Sequence, residues 1–249
     1  GITWWTDPAW LSPDGRAQLP DGCYDVGLAH GGAGVIALLA QICALDCAVT
    51  KARPLLDGAV AWLLAQTLPA GARSQFPTWV QPDGQRPPSR LAWCYGDLGI
   101  AVALLRAARL VNEPTWEATA LHLARATAQR AQAPEDVQDT GLCHGFASIA
   151  HLCNRLYQAT GEAIFVETAQ RWWARSLAHR QPGHGIGGFL ALGPESGATL
   201  QWVADPGLIT GAAGIGLALL AAFYPLPPDW DQMMLITISP ELRSSVPTL

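Results

Sequence analysis

The sequence predicts an all-α chain built as an α/α toroid, a double layer of helices wound about a common axis. Three observations carry that reading. Half of the 249 residues are apolar and only 14% are charged, with Ala, Leu and Gly dominant and few β-branched runs. That composition favours helices and is too apolar for a disordered chain. A glycine-led helix start recurs four times along the chain. Between these starts lie more polar helical stretches. A helix that is apolar all round is buried and one with a wet face lies outside, so the alternation reads as inner, outer, inner, outer.

Taken in order, the first start is Gly27-Leu28-Ala29-His30-Gly31-Gly32-Ala33-Gly34, opening onto Val35-Ile36-Ala37-Leu38-Leu39. An outer stretch over 54–68 follows, with Leu55, Leu56, Ala59, Trp62 and Leu63 at helical spacing. Trp93-Cys94-Tyr95-Gly96-Asp97-Leu98-Gly99 opens Ile100-Ala101-Val102-Ala103-Leu104-Leu105. The next outer stretch, 114–132, begins with Pro114, a residue suited to the first helical position because its missing N–H has no intrahelical partner there. It sets Trp116, Ala120, Leu123 and Ala124 on one face. Gly141-Leu142-Cys143-His144-Gly145-Phe146-Ala147 opens Ser148-Ile149-Ala150-His151-Leu152, and 162–180 carries Phe165, Val166, Ala169, Trp172 and Trp173. Gly207-Leu208-Ile209-Thr210-Gly211-Ala212-Ala213-Gly214 opens Ile215-Gly216-Leu217-Ala218-Leu219-Leu220. The separations are unequal, about 50 to 65 residues, and recurrence on that scale implies a repeat architecture. Small residues at the inner starts let helices crowd near an axis and let backbone N–H groups face a shared cavity. The long Pro- and Gly-rich loops at 69–90 and 181–206 are expected to cover a site.

Composition also excludes. The net charge is −5 and no Lys/Arg cluster is long enough to track a phosphate backbone, so nucleic acid is not an expected partner. The eleven Trp residues read first as core filling and second as the lining of a groove for an extended ligand. Six scattered Cys do not form a secreted disulfide framework, and no signal peptide is visible; a cytoplasmic protein is expected. Residues 207–226 make an uncharged run of about the length that spans a bilayer, roughly 20 residues. The run is broken by Gly207, Gly211, Gly214 and Gly216 and flanked by Asp205, Asp229 and Asp231 rather than by Lys or Arg. It also repeats the earlier starts, so a buried helix is expected and no transmembrane segment. Gly31-Gly32-Ala33-Gly34 lacks the Lys-Ser/Thr of a nucleotide loop, and there is no Gly-x-Ser-x-Gly elbow.

Chemistry concentrates just before two of the starts. Cys94, Cys143 and His144 offer two thiolates and an imidazole. These are good zinc ligands, and three protein ligands leave one tetrahedral position free, as in a catalytic rather than a closed structural site. The Cys143–His144 pair gains weight because Cys94 stands at the corresponding place one unit earlier. His30 taken alone is a polar residue near a helix start; grouped in the repeat with Cys94 and His144, it becomes a candidate general acid. Asp97 reads as a first-turn acid favoured by the helix dipole. Cys43, Cys47 and Cys153 read as core thiols within apolar helices, although Cys43 and Cys47 have the i, i+4 spacing of a metal pair. His122, His151, His179 and His184 receive no special role.

These motifs resemble the lanthionine synthetase C-like family, the cyclases of lantibiotic biosynthesis. The likeness is carried by Trp-Cys-Tyr-Gly at 93–96, Cys-His-Gly at 143–145 and Gly-Leu-Ile-Thr-Gly-Ala-Ala-Gly at 207–214, in that order, and runs from Trp4-Trp5 to Trp230-Asp231-Gln232. The resemblance implies a toroid of seven inner and seven outer helices with zinc at its centre, held by Cys94, Cys143 and His144. It further implies catalytic roles for His30, for Arg90, which lies four residues before the first zinc Cys, and for Tyr95, which follows that Cys. About four of the seven repeats are present, and the chain opens at Gly1 without a Met. The expectation is therefore the C-terminal part of a longer synthetase, as a toroid domain over 1–236 with an unassigned tail over 237–249. Apolar helix faces should be uncovered at its two open ends, and an acidic proton acceptor of the family would fall in the missing front.

The reaction implied is conjugate addition of a peptide Cys to the β-carbon of dehydroalanine or dehydrobutyrine, giving (methyl)lanthionine thioether rings. The nucleophile must be a thiolate, and a free Cys has a pKa of about 8.5, whereas a thiol that coordinates zinc is deprotonated outright. The enolate that follows needs a fixed cation, for which Arg90 is the candidate, and a proton at Cα, for which His30 is the candidate. Tyr95 is a further hydrogen-bond or proton donor. The partners implied are a dehydrated precursor peptide and a lantibiotic dehydratase. Two other readings stay open. One is a thiol enzyme on the same toroid that uses Cys94 or Cys143 with His144 directly as nucleophile and base. The other is a truncated scaffold that binds zinc or peptide without turnover.

Overall fold

The computed structural model describes residues 1–131, 137–194, 200–224 and 227–238. A short helix α1 (Pro13–Gln18), capped by the Ser12 hydroxyl, leads into the repeating part of the chain. There α2 (Gly32–Ala44), α4 (Asp97–Val111), α6 (Phe146–Thr160) and α8 (Ala212–Phe223) form the inner row, each packed on the next. Helices α3 (Val49–Leu64), α5 (Pro114–Arg130) and α7 (Ala163–Ala178) lie outside, packed on α2, α4 and α6 respectively, and α5 also packs on α7. The architecture is the α/α toroid that the alternation of apolar and amphipathic helices predicts, with four inner and three outer helices among the described residues. After α8 the described chain has a 3₁₀ turn at Asp229–Met234 in place of an outer helix.

Two small antiparallel ribbons, not foreseen in the sequence, sit in the long loops. Strand β1 (Tyr24–Asp25) pairs with β2 (Trp79–Val80), Tyr24 opposite Val80 and Asp25 opposite Trp79. Strand β3 (Ala191–Pro194) pairs with β4 (Leu200–Val203), Leu192 opposite Trp202. The first ribbon ties the 69–90 loop to the segment that precedes α2.

The core lies between the two helix layers. Every residue of α4 from Asp97 to Arg109 is buried, as expected of a helix apolar on all sides. One of its two buried arginines forms an ion pair: Arg109 Nε meets Glu117 of α5 at 2.9 Å, and Arg109 also donates to the Ala159 carbonyl of α6 at 3.1 Å. A single inner helix is thereby clamped to an outer and an inner neighbour by one guanidinium.

Three expectations need correction. Helix α3 starts at Val49, before the predicted stretch, because Asp46 and Ala48 adopt left-handed conformations that reverse the chain immediately after α2. Pro54 falls inside the helix, where it forgoes one backbone hydrogen bond. Cys153 is a core thiol, but Cys43 is only half-buried and Cys47, in the reversal itself, is exposed. Helix α8 is not buried all round. It buries Gly214, Ile215, Ala218 and Ala221, while Leu220 is 53% and Phe223 74% exposed. At the other end of the inner row, Leu38 of α2 is 51% exposed. No helix among the described residues is long and apolar enough to cross a membrane.

A buried polar latch holds the C-terminal segment inside the ring. Asp231, fully buried, accepts from His151 Nε2 at 3.0 Å and from the Thr237 hydroxyl at 2.5 Å, and forms an ion pair with Arg155, whose Nε lies 3.1 Å away. The Trp230 ring stacks on His151 with centroids 5.0 Å apart. Arg106 of α4 bonds both the Thr237 carbonyl and Gln41 of α2. Met234, Ile236 and Ile238 join the hydrophobic core. His151 thus has a structural task. Most of the expected tail, from residue 239 onward, lies outside the described residues.

Candidate metal centre

Each inner helix begins at a glycine N-cap with no side-chain cap: Gly31, Gly96, Gly145 and Gly211. These four glycines set the register of the repeat. Position −1 holds His30, Tyr95, His144 and Thr210; position −2 holds Ala29, Cys94, Cys143 and Ile209; position −6 holds Asp25, Arg90, Asp139 and Asp205. The −2 residues form a backbone ladder around the end of the ring. Ala29 N–H donates to the Cys94 carbonyl at 3.2 Å, Cys94 N–H to the Cys143 carbonyl at 3.3 Å, and Cys143 N–H to the Ile209 carbonyl at 2.8 Å. Cys94 and Cys143 are adjacent rungs, which brings two thiols 49 positions apart to one place. Because Ala29 and Ile209 occupy the outer rungs, the sulfur ligands stop at two. This register places His30 level with Tyr95 and His144, and Cys94 level with Ala29, which refines the looser grouping of His30 with Cys94.

The ligand atoms of Cys94, Cys143 and His144 lie within 4.8 Å of one another, the only group of three or more such side chains among the described residues. Cys94 is buried and the other two are half-buried. The Cys94 thiol is held well below the ordinary thiol range: it accepts from Cys143, and the His144 ring and the Arg90 cation favour its thiolate against the opposing effect of burial. Cys143 is pushed the other way by its bond to that thiolate and by burial. His144 is raised, first by its hydrogen bond with Cys94 and further by Asp139, although burial opposes the shift. Two sulfurs, one already biased to the thiolate, and one imidazole converge with no fourth protein ligand among the described residues. That donor set fits zinc with a position left for a ligand from outside.

Arg90 is exposed, yet its charge reaches all three cluster residues. The chain around it is pinned: Ser89 N–H donates to Ser74 Oγ at 2.7 Å, and Ser74 Oγ donates to the Phe76 carbonyl at 2.7 Å. Gly96 has φ 107° and ψ 173°, a region essentially confined to glycine, and a Cβ there would overlap the Arg90 carbonyl oxygen. Asp97 does more than serve the helix dipole. Its carboxylate accepts from Gln75 N–H at 2.7 Å and Phe76 N–H at 2.9 Å and pairs with Arg130 of α5. It thereby fastens the 69–90 loop beside the cluster.

His30 is exposed and faces Tyr95, with ring centroids 6.0 Å apart. The Tyr95 hydroxyl donates to Asp25 Oδ2 at 2.9 Å, and Asp25 Oδ1 accepts from Gly27 N–H at 3.0 Å. Burial raises Asp25, while the Gly27 and Tyr95 bonds and the nearby His30 ring pull it back. Tyr95 is raised by burial and by the Asp25 charge, so its phenol keeps its proton and directs it at Asp25.

The sequence reading missed Asp25 and Asp139. A signal for both exists: Asp-x-Gly-Leu-x-His-Gly occurs at 25–31 and 139–145, and Asp-x-Gly-Leu-x-Thr-Gly at 205–211.

With the geometry in hand, comparison with known proteins adds the following. The sequence pattern of the family described as "Lanthionine synthetase C-like protein" matches residues 11–235. Among solved structures, nisin cyclase superposes with a TM-score of 0.71 at 18% identity, over 93% of this chain and 55% of that one. At that identity the likeness is one of fold, and this chain spans about half the length of nisin cyclase. No curated protein matches the sequence significantly.

Proposed function

The chain belongs to the lanthionine synthetase C-like family, and from that premise we propose that it is a zinc-dependent cyclase domain acting on dehydrated precursor peptides. The reaction is conjugate addition of a peptide Cys to dehydroalanine or dehydrobutyrine. The observation that carries this reading is the convergence of Cys94, Cys143 and His144 within 4.8 Å, with a cation and a His–Tyr–Asp set beside them. When bound, zinc supplies the Lewis acidity that keeps an incoming thiol deprotonated near neutral pH.

The remaining work falls to this chain's own side chains. Arg90, the cation nearest in effect to the cluster, stabilises negative charge on the carbonyl oxygen of the dehydrated residue as the carbon–sulfur bond forms. His30 delivers the proton to Cα. Tyr95, tethered to Asp25, packs beside His30 and orients it; with its proton directed at the carboxylate it is a poor proton donor to substrate. The nisin cyclase fold supports a modified peptide as substrate. A dehydratase as supplier of that peptide, and the cytoplasm as its place, follow from the same family reading.

A peptide carrying one dehydroalanine and one Cys tests the proposal. On incubation with the zinc-loaded chain, free thiol disappears at constant peptide mass, and the Cys94→Ala variant leaves the thiol intact. Thiol consumption that survives full chelation would instead support a Cys–His thiol enzyme. Because the chain spans about half of nisin cyclase, a scaffold reading keeps a specific basis: peptide binding with no thiol loss would support it.

A further inference from the structure

The repeat places a carboxylate six residues before the helix-start glycine in three of its four units. In the first, Asp25 accepts from Gly27 N–H at 3.0 Å and from the Tyr95 hydroxyl at 2.9 Å. In the fourth, Asp205 accepts from Gly207 N–H at 2.6 Å and from the Thr210 hydroxyl at 2.5 Å. In each case one oxygen holds the turn and the other holds a side chain from position −1 of its own or the next unit. The third unit breaks the pattern. Asp139 is only 2% exposed, and neither of its side-chain oxygens has a hydrogen-bond partner among the described residues. A buried carboxylate with both oxygens bare is costly, so such a residue marks a task that the neighbouring protein groups do not complete. Among the described residues, the one ionisable partner within 4 Å is His144, whose Nε2 lies 3.8 Å from Asp139 Oδ2. His144 stands at position −1, the place from which Thr210 binds Asp205 in the fourth unit.

We propose that Asp139 is a positioning residue for the metal centre, accepting the ring N–H of His144 that does not face the ion and so fixing the imidazole's tautomer and direction. A neutral imidazole has one N–H and one lone pair, and a carboxylate on the N–H side commits the other nitrogen to ligation. At 3.8 Å the two are not hydrogen-bonded, and the proposal requires the ring to approach Asp139 when the site holds its metal. The same carboxylate that serves a loop in the fourth unit serves a ligand in the third. This inference rests on the metal-holding part of the proposed function and is independent of the cyclisation.

The test is zinc affinity by chelator competition on the wild-type chain, Asp139→Asn and Asp205→Asn, with apo thermal melting as a control for folding. Asp139→Asn keeps the shape and removes the charge. The expected result is a 10- to 100-fold weaker affinity, with apo melting no lower than that of the wild type and wild-type affinity in Asp205→Asn. Wild-type affinity in Asp139→Asn, or an equal loss in both variants, overturns the inference while leaving the metal reading intact. A wild-type chain that takes up no zinc overturns both. Should Asp139→Asn fail to fold, ¹⁵N-imidazole NMR of the zinc-loaded wild type decides: a slowly exchanging N–H on the non-metallated nitrogen of His144 is expected, and a freely exchanging one overturns the inference.

Discussion

Cys94 donates its backbone N–H to the carbonyl of Cys143 at 3.3 Å, so the two thiols hang from neighbouring rungs of a main-chain ladder rather than meeting through flexible side chains. A ladder made of main chain survives loss of a side chain. Cys94→Ala and Cys143→Ala should therefore fold and yet bind zinc roughly 100- to 10,000-fold more weakly, since roughly 10–16 kcal/mol of zinc-site binding shared among three or four ligands is about 2.5–5 kcal/mol each. Metal content after dialysis, read beside circular dichroism, checks this. A variant that keeps one equivalent of zinc would remove that Cys from the ligand set.

The candidate ligand trio is readable in the sequence because recurrence marks it: Cys94 and Cys143 occupy one position of a repeated unit, and three residues able to ligate a metal stand beside helix-starting glycines. The helix alternation is readable for the same reason, as each inner helix opens at a recurring glycine-led start and each outer helix does not; α6, which carries His151, Asn154 and Arg155, is marked as inner by that start rather than by its apolarity. Asp25 escaped because an acid two residues before a glycine reads as an ordinary turn residue, while its partner Tyr95 is 70 positions away. The His151–Asp231 latch escaped likewise, its members 80 positions apart with no local pattern between them. Exposure of one face of α8 is a tertiary fact. The helix is apolar all round, and only its neighbours decide which side is covered.

Gly96 couples Arg90 to Cys94. An Ala there is strained twice, by a backbone conformation that costs side-chain-bearing residues about 1–3 kcal/mol and by overlap of its Cβ with the Arg90 carbonyl oxygen. Gly96→Ala should destabilise the chain by about 3 kcal/mol or more. At Gly161, which has φ 72° and open space around its Cα, substitution by Asn should cost under about 1 kcal/mol, because Asn tolerates the left-handed region. Urea denaturation of both variants is the measurement; equal losses would refute the steric account of Gly96.

Tyr95→Phe removes the one side-chain donor to Asp25 Oδ2 and leaves a buried carboxylate short of a partner. The expected loss of stability is about 1.5–3 kcal/mol, the range for hydrogen bonds to charged groups. Asp25→Asn in the Tyr95→Phe background should cost less than Asp25→Asn alone, because the two residues share one bond. A double-mutant cycle by thermal or urea unfolding measures the coupling, and additive effects would show that the bond contributes nothing.

His151 makes stability depend on pH through a single buried ring. Burial holds its pKa below the ordinary histidine value despite the facing Asp231, with Arg155 opposing protonation as well. In the unfolded chain the ring takes a proton near pH 6.5; in the folded chain it does so only at lower pH. Between those two values the unfolded state binds more protons, so stability rises with pH there and falls on acidification, by up to about 1.4 kcal/mol per pH unit. Above pH 6.5 both states are neutral and the effect vanishes. His151→Gln keeps a donor for Asp231 but cannot titrate, so its stability should fall less steeply than that of the wild type between pH 6.5 and 5. Urea midpoints of the two proteins across that window isolate this ring from the other histidines, which both share. Parallel curves would mean that His151 takes up its proton equally in the folded and unfolded chain, and the latch would then owe nothing to a neutral imidazole.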